Sequence, residues 1–174
     1  MKSTRTLGKS LWMLAVALFV AVAPAEGQIE SATVMVEGLA CPFCVFGIEK
    51  RLKKVEGVGG VDVDIKSGEV SLRASEGESI AVVEIPGAVE KAGFTAGAIH
   101  LTAVGTVDLN DDERALFRIS ESAQEMLLVA MGSLRGRIEE LAAAGVPARI
   151  QGELHLHRDE PPGLEPDAAE RAGT

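Results

Sequence analysis

Residues 38–44 have the sequence Gly-Leu-Ala-Cys-Pro-Phe-Cys and contain both cysteines of the chain, Cys41 and Cys44. Apolar and polar residues alternate before this stretch, with Val34 and Val36 on one face, which predicts a half-buried β-strand. After it, apolar residues return at helical spacing and charged residues fill the other positions, which predicts an amphipathic helix. The proline between the cysteines suits a first helical turn, because its missing N–H would have no partner there. Both cysteines are therefore expected at a strand-to-helix junction.

This position gives the cysteines a specific chemistry. The unpaired N–H groups and the positive end of the helix dipole favour thiolate over thiol at a helix N-terminus. Thiolates are soft ligands that suit Cu(I) and similar ions. Two sulfurs fall short of the four ligands of a structural zinc site, so zinc is the less suitable ion. A disulfide across two residues would close a very small loop and restrain the unfolded chain little, so a purely structural disulfide is the weaker interpretation.

The length and composition of the chain limit the number of domains and the classes of function that are possible. The chain has 174 residues, enough for one or two small domains, and a formal net charge of −9. This acidic balance argues against general nucleic-acid binding, which needs a basic face. Aromatic residues make up 3% of the sequence, so any hydrophobic core is expected to be aliphatic.

The N-terminal sequence predicts export. Residues 1–25 have three basic residues within their first nine positions, then an apolar run over 11–23, and end in a small-x-small site. This is the pattern of a secretory signal peptide. The apolar run is shorter than the ~20 residues that a membrane-spanning helix needs. We therefore expect a cleaved signal peptide, a periplasmic or secreted mature protein, and no membrane association after cleavage.

Residues 31–103 follow the order strand, helix, strand, strand, helix, strand. Apolar and charged residues alternate strictly over 61–65, and Ser67-Gly68 provides a tight turn into a hairpin partner that contains Val70. Pro86 marks the start of the second helix, because proline breaks a helix interior. The last strand is expected over 94–101. A β-α-β-β-α-β order of this length predicts an α+β, ferredoxin-like sandwich.

Several blocks of this segment together resemble the heavy-metal-associated domain family. In order, they are the Gly-x-x-Cys-x-x-Cys motif, Val-Glu-Gly-Val at 55–58, Val-Asp-Val-Asp at 61–64 and Glu-Lys-Ala-Gly-Phe at 90–94. The resemblance implies that Cys41 and Cys44 bind one soft ion, Cu(I) or Hg(II), in a surface loop and pass it to a partner by thiolate exchange. It also implies that Phe94 packs near the metal loop. Leu39 and Ala40 replace the usual Met and Thr of the family, and Leu39 can still fill the buried apolar position under the loop.

The resemblance also implies a partner protein, such as a metal transporter or another metal-binding domain, and a function that is not enzymatic. The basic face of the first helix would steer an acidic partner toward the site; it comprises Lys50, Arg51, Lys53 and Lys54. Taken alone, these residues are more simply explained as a solvated helix face.

The alternative function is that of a periplasmic thiol-disulfide oxidoreductase. Cys-Pro-Phe-Cys between a strand and a helix resembles the active site of thioredoxin- and glutaredoxin-like proteins. Pro86 is a candidate for the cis-proline that their fold places opposite the cysteines. The hairpin predicted over 61–72 leaves no crossover helix between its strands, which favours the metal-binding interpretation.

The resemblance ends at residue 103. Residues 104–158 predict three strands, a helix over 134–144 and a further strand from 148, which suggests a small β-rich, OB-like module curved at Gly105 and Gly152. The rival interpretation is one long helix over 120–144, which its glycines disfavour. The shortage of aromatic platforms argues against nucleic-acid binding by such a barrel. Residues 159–174 lack periodicity and predict a disordered tail.

Three histidines are candidates for an accessory metal site. His155 and His157 lie two residues apart, on one face of the predicted last strand, where both rings can reach one ion. His100 would complete the group. We favour the simpler interpretation that all three are surface residues.

Overall fold

A computed structural model describes residues 27–39, 41–110, 114–120, 122–130, 132–157 and 161–173. The predicted signal peptide and Ala40 lie outside the described residues. Within the described part, no helix has both the length and the apolar character needed to cross a membrane.

The first half of the fold has the predicted β-α-β-β-α-β order. Its elements are β1 (Ile29–Glu37), α1 (Pro42–Leu52), β2 (Val58–Asp64), β3 (Glu69–Ala74), α2 (Ile85–Lys91) and β4 (Thr95–Leu109). A short 3-10 turn, Val82–Glu84, leads into α2. The four strands pair antiparallel in the order β2-β3-β1-β4, so this half has the ferredoxin-like arrangement.

One face of this sheet packs against the helices. Val34 and Val36 of β1 are buried, whereas Met35 between them is 37% exposed, which is the alternation that the sequence predicts. Ile48 and Leu52 of α1 are fully buried and meet the same core. The spacing of these apolar residues therefore fixes which side of α1 faces the sheet and leaves its opposite side in solvent.

The second half is a closed ring of strands. It adds β5 (Ala115–Ile119), β6 (Gln124–Leu128), α3 (Ser133–Ala144), β7 (Ala148–His155) and β8 (Gly163–Arg171). β4 pairs with β5, β5 with β6, β6 in parallel with β8, β8 with β7, and β7 returns to β4. The β-rich module that the sequence predicts is thus present, and the rival long helix is wrong because α3 begins only at Ser133.

Strand β4 belongs to both halves. Over 95–103 it pairs with β1 on one edge, and over 99–105 it pairs with β7 on the other edge. Its last residues, 106–109, pair with β5. The expected boundary between residues 103 and 104 therefore falls inside a single strand that continues to Leu109. Buried apolar side chains from both halves form one continuous core.

Gly105 and Gly152 lie where two strands approach closely. A Cβ atom on Gly105 would collide with the carbonyl oxygen of Arg118, at the point where β5 replaces β1 as the partner along one edge of β4. A Cβ atom on Gly152 would collide with the carbonyl oxygen of Glu165, beside a register shift between β7 and β8. Both positions therefore need a residue without a side chain, and the strand curvature expected at them stays a prediction.

The prediction of a disordered tail over 159–174 is wrong for β8. This strand pairs with β7 along its length and in parallel with Leu127 and Leu128 of β6, and its Leu164 is fully buried. Its own sequence is rich in residues with low strand propensity, including Pro166. The strand forms because β6 and β7 would otherwise present unpaired edges, which is a tertiary constraint that local sequence does not show.

Polar contacts also join the two halves across β4. The guanidinium of Arg149 on β7 donates two hydrogen bonds, of 2.8 and 3.0 Å, to the carboxylate of Glu30 on β1. The hydroxyls of Ser79 and Ser122 are hydrogen-bonded at 3.2 Å. The paired, partly buried Arg–carboxylate geometry adds directional specificity to the contact between halves.

Replacement of Leu164 by alanine tests the role of β8. We expect Leu164→Ala to lower the free energy of unfolding by about 2–4 kcal/mol, because it leaves a cavity at a fully buried position. Glu170→Ala, at an exposed position of the same strand, is the control and should change it by less than about 0.5 kcal/mol. Urea unfolding measures both, and equal small effects would mean that this segment does not close the ring.

Candidate metal centre

The loop between β1 and α1 places the first cysteine at the start of the helix. β1 ends at Glu37, and Gly38 turns the chain with a φ of +84°, a conformation that glycine adopts without strain. Leu39 is 4% exposed, so it anchors the loop in the core as the resemblance predicts. Cys41 follows as the extended N-cap residue of α1, with φ −120° and ψ 125°, and its side chain makes no capping hydrogen bond.

The second cysteine lies in the first turn of the same helix. The backbone N–H of Cys44 donates to the carbonyl oxygen of Cys41 at 2.9 Å, which holds the two residues together. Both are free thiols and both are partly buried. The Cys44 side chain packs against the hydrophobic core, whereas Pro42 and Phe43 between the cysteines are exposed. The sulfurs are thus held by the core on one side and reachable from solvent on the other.

The pKa values of the two thiols are shifted in opposite directions. The hydrogen bond from the Cys44 side chain lowers the pKa of Cys41 below its usual value, and the backbone N–H groups of Cys44 and Phe43 act in the same direction. The same side-chain hydrogen bond raises the pKa of Cys44, and burial and the charge of Cys41 raise it further. The first proton therefore leaves Cys41, at the helix N-terminus, and the pair then shares the remaining one.

The described residues around the cysteine pair add no further ligating side chain to the two sulfurs. In the described part of the chain, no group of three or more His, Cys, Asp or Glu side chains is placed to hold a metal ion. Nδ1 of His100 lies 3.7 Å from Asp167, and Nε2 of His155 lies 3.4 Å from Glu165. These two histidines therefore each lie beside a different carboxylate of β8 rather than together at one accessory site.

Phe94 lies at the same end of the sheet as the cysteine loop. It is partly buried against the core and directly precedes Thr95, which pairs with Glu37 at the end of β1. Sequence reasoning missed two other aromatic residues, Phe43 and Phe46, which are 84% and 73% exposed on α1. Both lie on the side of the helix opposite Ile48 and Leu52, so helical spacing alone could have predicted that they are exposed.

Comparisons with known proteins find similarity in the part of the chain that contains the two cysteines. The family model for the heavy-metal-associated domain matches residues 33–95. The copper chaperone CopZ of Bacillus subtilis is 30% identical over 66 residues, which cover 38% of this chain and 94% of the chaperone. The mercuric reductase of Shewanella putrefaciens is 29% identical over 101 residues, covering 56% of this chain.

The similarity is limited in extent. This chain spans only 18% of the length of the mercuric reductase. Among solved structures, oxidized MerP from Ralstonia metallidurans CH34 is 27% identical, covers 41% of this chain and 94% of its own, and has a TM-score of 0.35. The matched family region ends at residue 95, so the strand ring beyond it lies outside that match.

Alkylation tests the asymmetry of the two thiols. At neutral pH, iodoacetamide should modify Cys41 faster than Cys44 in the metal-free, reduced protein, because the thiolate is the reactive form. Peptide mass spectrometry would identify the modified residue. Cys44→Ala removes the largest cause of the lowered pKa and should slow alkylation of Cys41. Faster modification of Cys44 in the unaltered protein would contradict the proposed hydrogen-bond direction.

Proposed function

This chain belongs to the heavy-metal-associated domain family, and from that premise we propose that it binds one soft metal ion and delivers it to a partner protein. The ion is Cu(I) or Hg(II), and its ligands are Cys41 and Cys44. The observation that carries the proposal is the pair of free thiols at the N-terminus of α1, where one sulfur is favoured as thiolate and both are accessible.

The number of donors supports the choice of ion. Soft thiolate sulfur favours Cu(I) over hard cations. Structural zinc sites take four ligands, and the described residues bring no third His, Cys, Asp or Glu to the cysteines. Cu(I) and Hg(II) can be coordinated by two sulfurs alone, so zinc is the less suitable cargo. The names of the two curated relatives, a copper chaperone and a mercuric reductase, are compatible with either soft ion.

Release proceeds by thiolate exchange. A thiolate of the partner forms a bond to the ion while both protein sulfurs are still attached, so the ion passes through a three-sulfur intermediate. One protein sulfur then leaves and takes a proton from water, and a second partner thiolate displaces the other in the same way. The oxidation state of the ion does not change, so the transfer needs no oxidant or reductant. The protein acts as a carrier, not as an enzyme.

The proposal also covers the charge of the partner and the location of the protein. The exposed basic residues of α1 steer an acidic partner, which would be a metal transporter or another metal-binding domain. The pattern of residues 1–25 supports export to a periplasmic or extracellular space. The ring formed by β4 to β8, with α3 between its third and fourth strands, is an OB-like barrel at the end of β4 remote from the cysteines.

One observation favours the oxidoreductase as a second candidate. A Cys-x-x-Cys pair with one lowered pKa is also the arrangement of thiol-disulfide exchange enzymes. Against it, β2 and β3 form an antiparallel hairpin without a crossover helix, and Pro86 lies in the first turn of α2. An insulin reduction assay separates the two functions.

A metal titration tests the proposal directly. The reduced protein should bind one equivalent of Cu(I) or Hg(II), with thiolate-to-metal absorbance, and binding should weaken as the pH falls because protons compete for both sulfurs. The double variant Cys41→Ser with Cys44→Ser should lose stoichiometric binding. Circular dichroism is the control, since both side chains are partly exposed and the fold should persist.

Two results would contradict the proposal. Equal binding by the double variant would place the ligands elsewhere. Catalytic reduction of insulin by a protein that retains no metal would assign the cysteines to redox chemistry instead.

A further inference from the structure

Strand β2 is the open edge of the sheet. Within the described residues, every other strand pairs with neighbours on both sides, whereas β2 pairs only with β3. The outer backbone N–H and C=O groups of β2 therefore have no strand partner. β2 contains no proline or lysine, the residues that commonly block such an edge, and its Val61 and Val63 are only partly buried against the core. An edge of this kind can accept a further strand.

Two exposed residues of opposite charge lie beside this edge on one face of the sheet. Gly60 lies opposite Arg73 of β3, and Nη2 of Arg73 lies 3.1 Å from the position that a Cβ atom on Gly60 would take. The guanidinium thus reaches over Gly60, toward the outer side of β2. Asp62 lies two residues further along the same face. In the described part of the chain, neither Asp62 nor Arg73 has an ion-pair partner.

These charges complement each other when β2 pairs with the β2 strand of a second copy. Antiparallel pairing of two identical strands about a two-fold axis sets one residue opposite itself. With Val61 at that central position, Asp62 lies opposite the partner's Gly60 and meets the partner's Arg73, and the axis produces this contact twice. Centring the pair on Asp62 or Val63 would instead set Asp62 against a carboxylate of the partner, which like-charge repulsion disfavours.

We propose that β2 is a self-association surface, through which two copies of this chain pair antiparallel, centred on Val61 and held by reciprocal Asp62–Arg73 ion pairs. The open edge supplies the backbone hydrogen bonds. Val61 meets the partner's Val61, which removes apolar surface from water. A strand of another protein would use the same backbone groups, but the self-complementary charges select a second copy.

This pairing keeps the two cysteine loops apart. Met35 lies opposite Glu69, which lies opposite Asp64, so the loop that follows β1 is at the Asp64 end of β2. In the antiparallel pair, Asp64 lies opposite the partner's Val58. The two Asp64 ends are therefore offset by six residues, or about 20 Å along the strands. Each copy keeps its own cysteine pair, so association neither needs metal nor depends on the proposed metal transfer.

Sedimentation velocity tests the association. One seven-residue strand from each copy buries less surface than a stable dimer needs, so the reduced, metal-free protein should dimerise only at high concentration, approaching about 1 mM. Asp62→Arg opposes two guanidinium groups at each contact and should raise the dissociation constant by about tenfold or more. Arg73→Asp added to Asp62→Arg exchanges the charges and should restore association.

The control for charge is Glu90→Arg, which makes the same change at an exposed position of α2 and should associate as the unaltered protein does. Because Asp62 and Arg73 are also exposed, none of these changes alters the core, and circular dichroism should be unchanged.

Disulfide trapping tests the register in the Cys41→Ser, Cys44→Ser background. Val61 is the one position of β2 that lies opposite itself, at the ~5 Å Cα spacing that a disulfide accepts. Val61→Cys should therefore give a cross-linked dimer with diamide, which takes up the two thiol hydrogens. Val63→Cys, on the same face of the same strand, is the matched control. It should not cross-link, because the two copies of this position lie about 13 Å apart along the strands.

Three results would overturn the inference. A chain that stays monomeric up to about 1 mM would leave the edge to a strand of another protein. An equal dissociation constant for Asp62→Arg and the unaltered protein, or equal cross-linking of Val61→Cys and Val63→Cys, would place the contact elsewhere. Dimers that need Cu(I) and disappear in the double serine variant would assign association to the cysteines.

Discussion

The pairing of β4 on both of its edges is the constraint on which the rest of the structure depends. Its first residues align with the end of β1, where Thr95 lies opposite Glu37, and its last residues form the ring with β5. β7 covers the edge that would otherwise end the four-stranded sheet. One strand thus holds the cysteine loop at one end and the barrel at the other. The barrel can add buried apolar surface to the common core without covering the cysteines.

The cysteine site depends on this frame through a few buried side chains. Leu39 ties the loop to the core just before Cys41, and Ile48 and Leu52 fix the orientation of α1 after it. The helix start then supplies N–H groups to Cys41, while the side-chain hydrogen bond makes Cys44 the weaker acid. Packing therefore preorganises the site, and local hydrogen bonding lowers the pKa of Cys41. The same packing that buries one side of α1 leaves Phe43 and Phe46 on the other, beside the sulfurs.

The sequence allowed the cysteine loop and the first six elements to be predicted, because these follow from local periodicity and from glycine and proline positions. β8 could not be predicted in this way. Its alanines, glutamates and Pro166 have low strand propensity, and Pro166 lies beside the register shift at Gly152, where an interrupted ladder accommodates a residue without an N–H. The sequence also did not show that β4 is one continuous strand, because the strand changes its pairing partner without a turn. His100 and His155 lie beside different carboxylates of β8, so their separation could not be predicted without that strand.

The central chemical claim is that one chain binds one soft ion with two sulfurs. The remaining coordination positions of the ion are left to an acceptor. X-ray absorption spectroscopy of the copper-loaded, monomeric protein tests that claim most directly. A two-sulfur site predicts a first shell of two sulfur atoms and no imidazole nitrogen, with the whole signal lost in the Cys41→Ser, Cys44→Ser variant. A shell containing histidine nitrogen, or four sulfurs from a dimer, would contradict it.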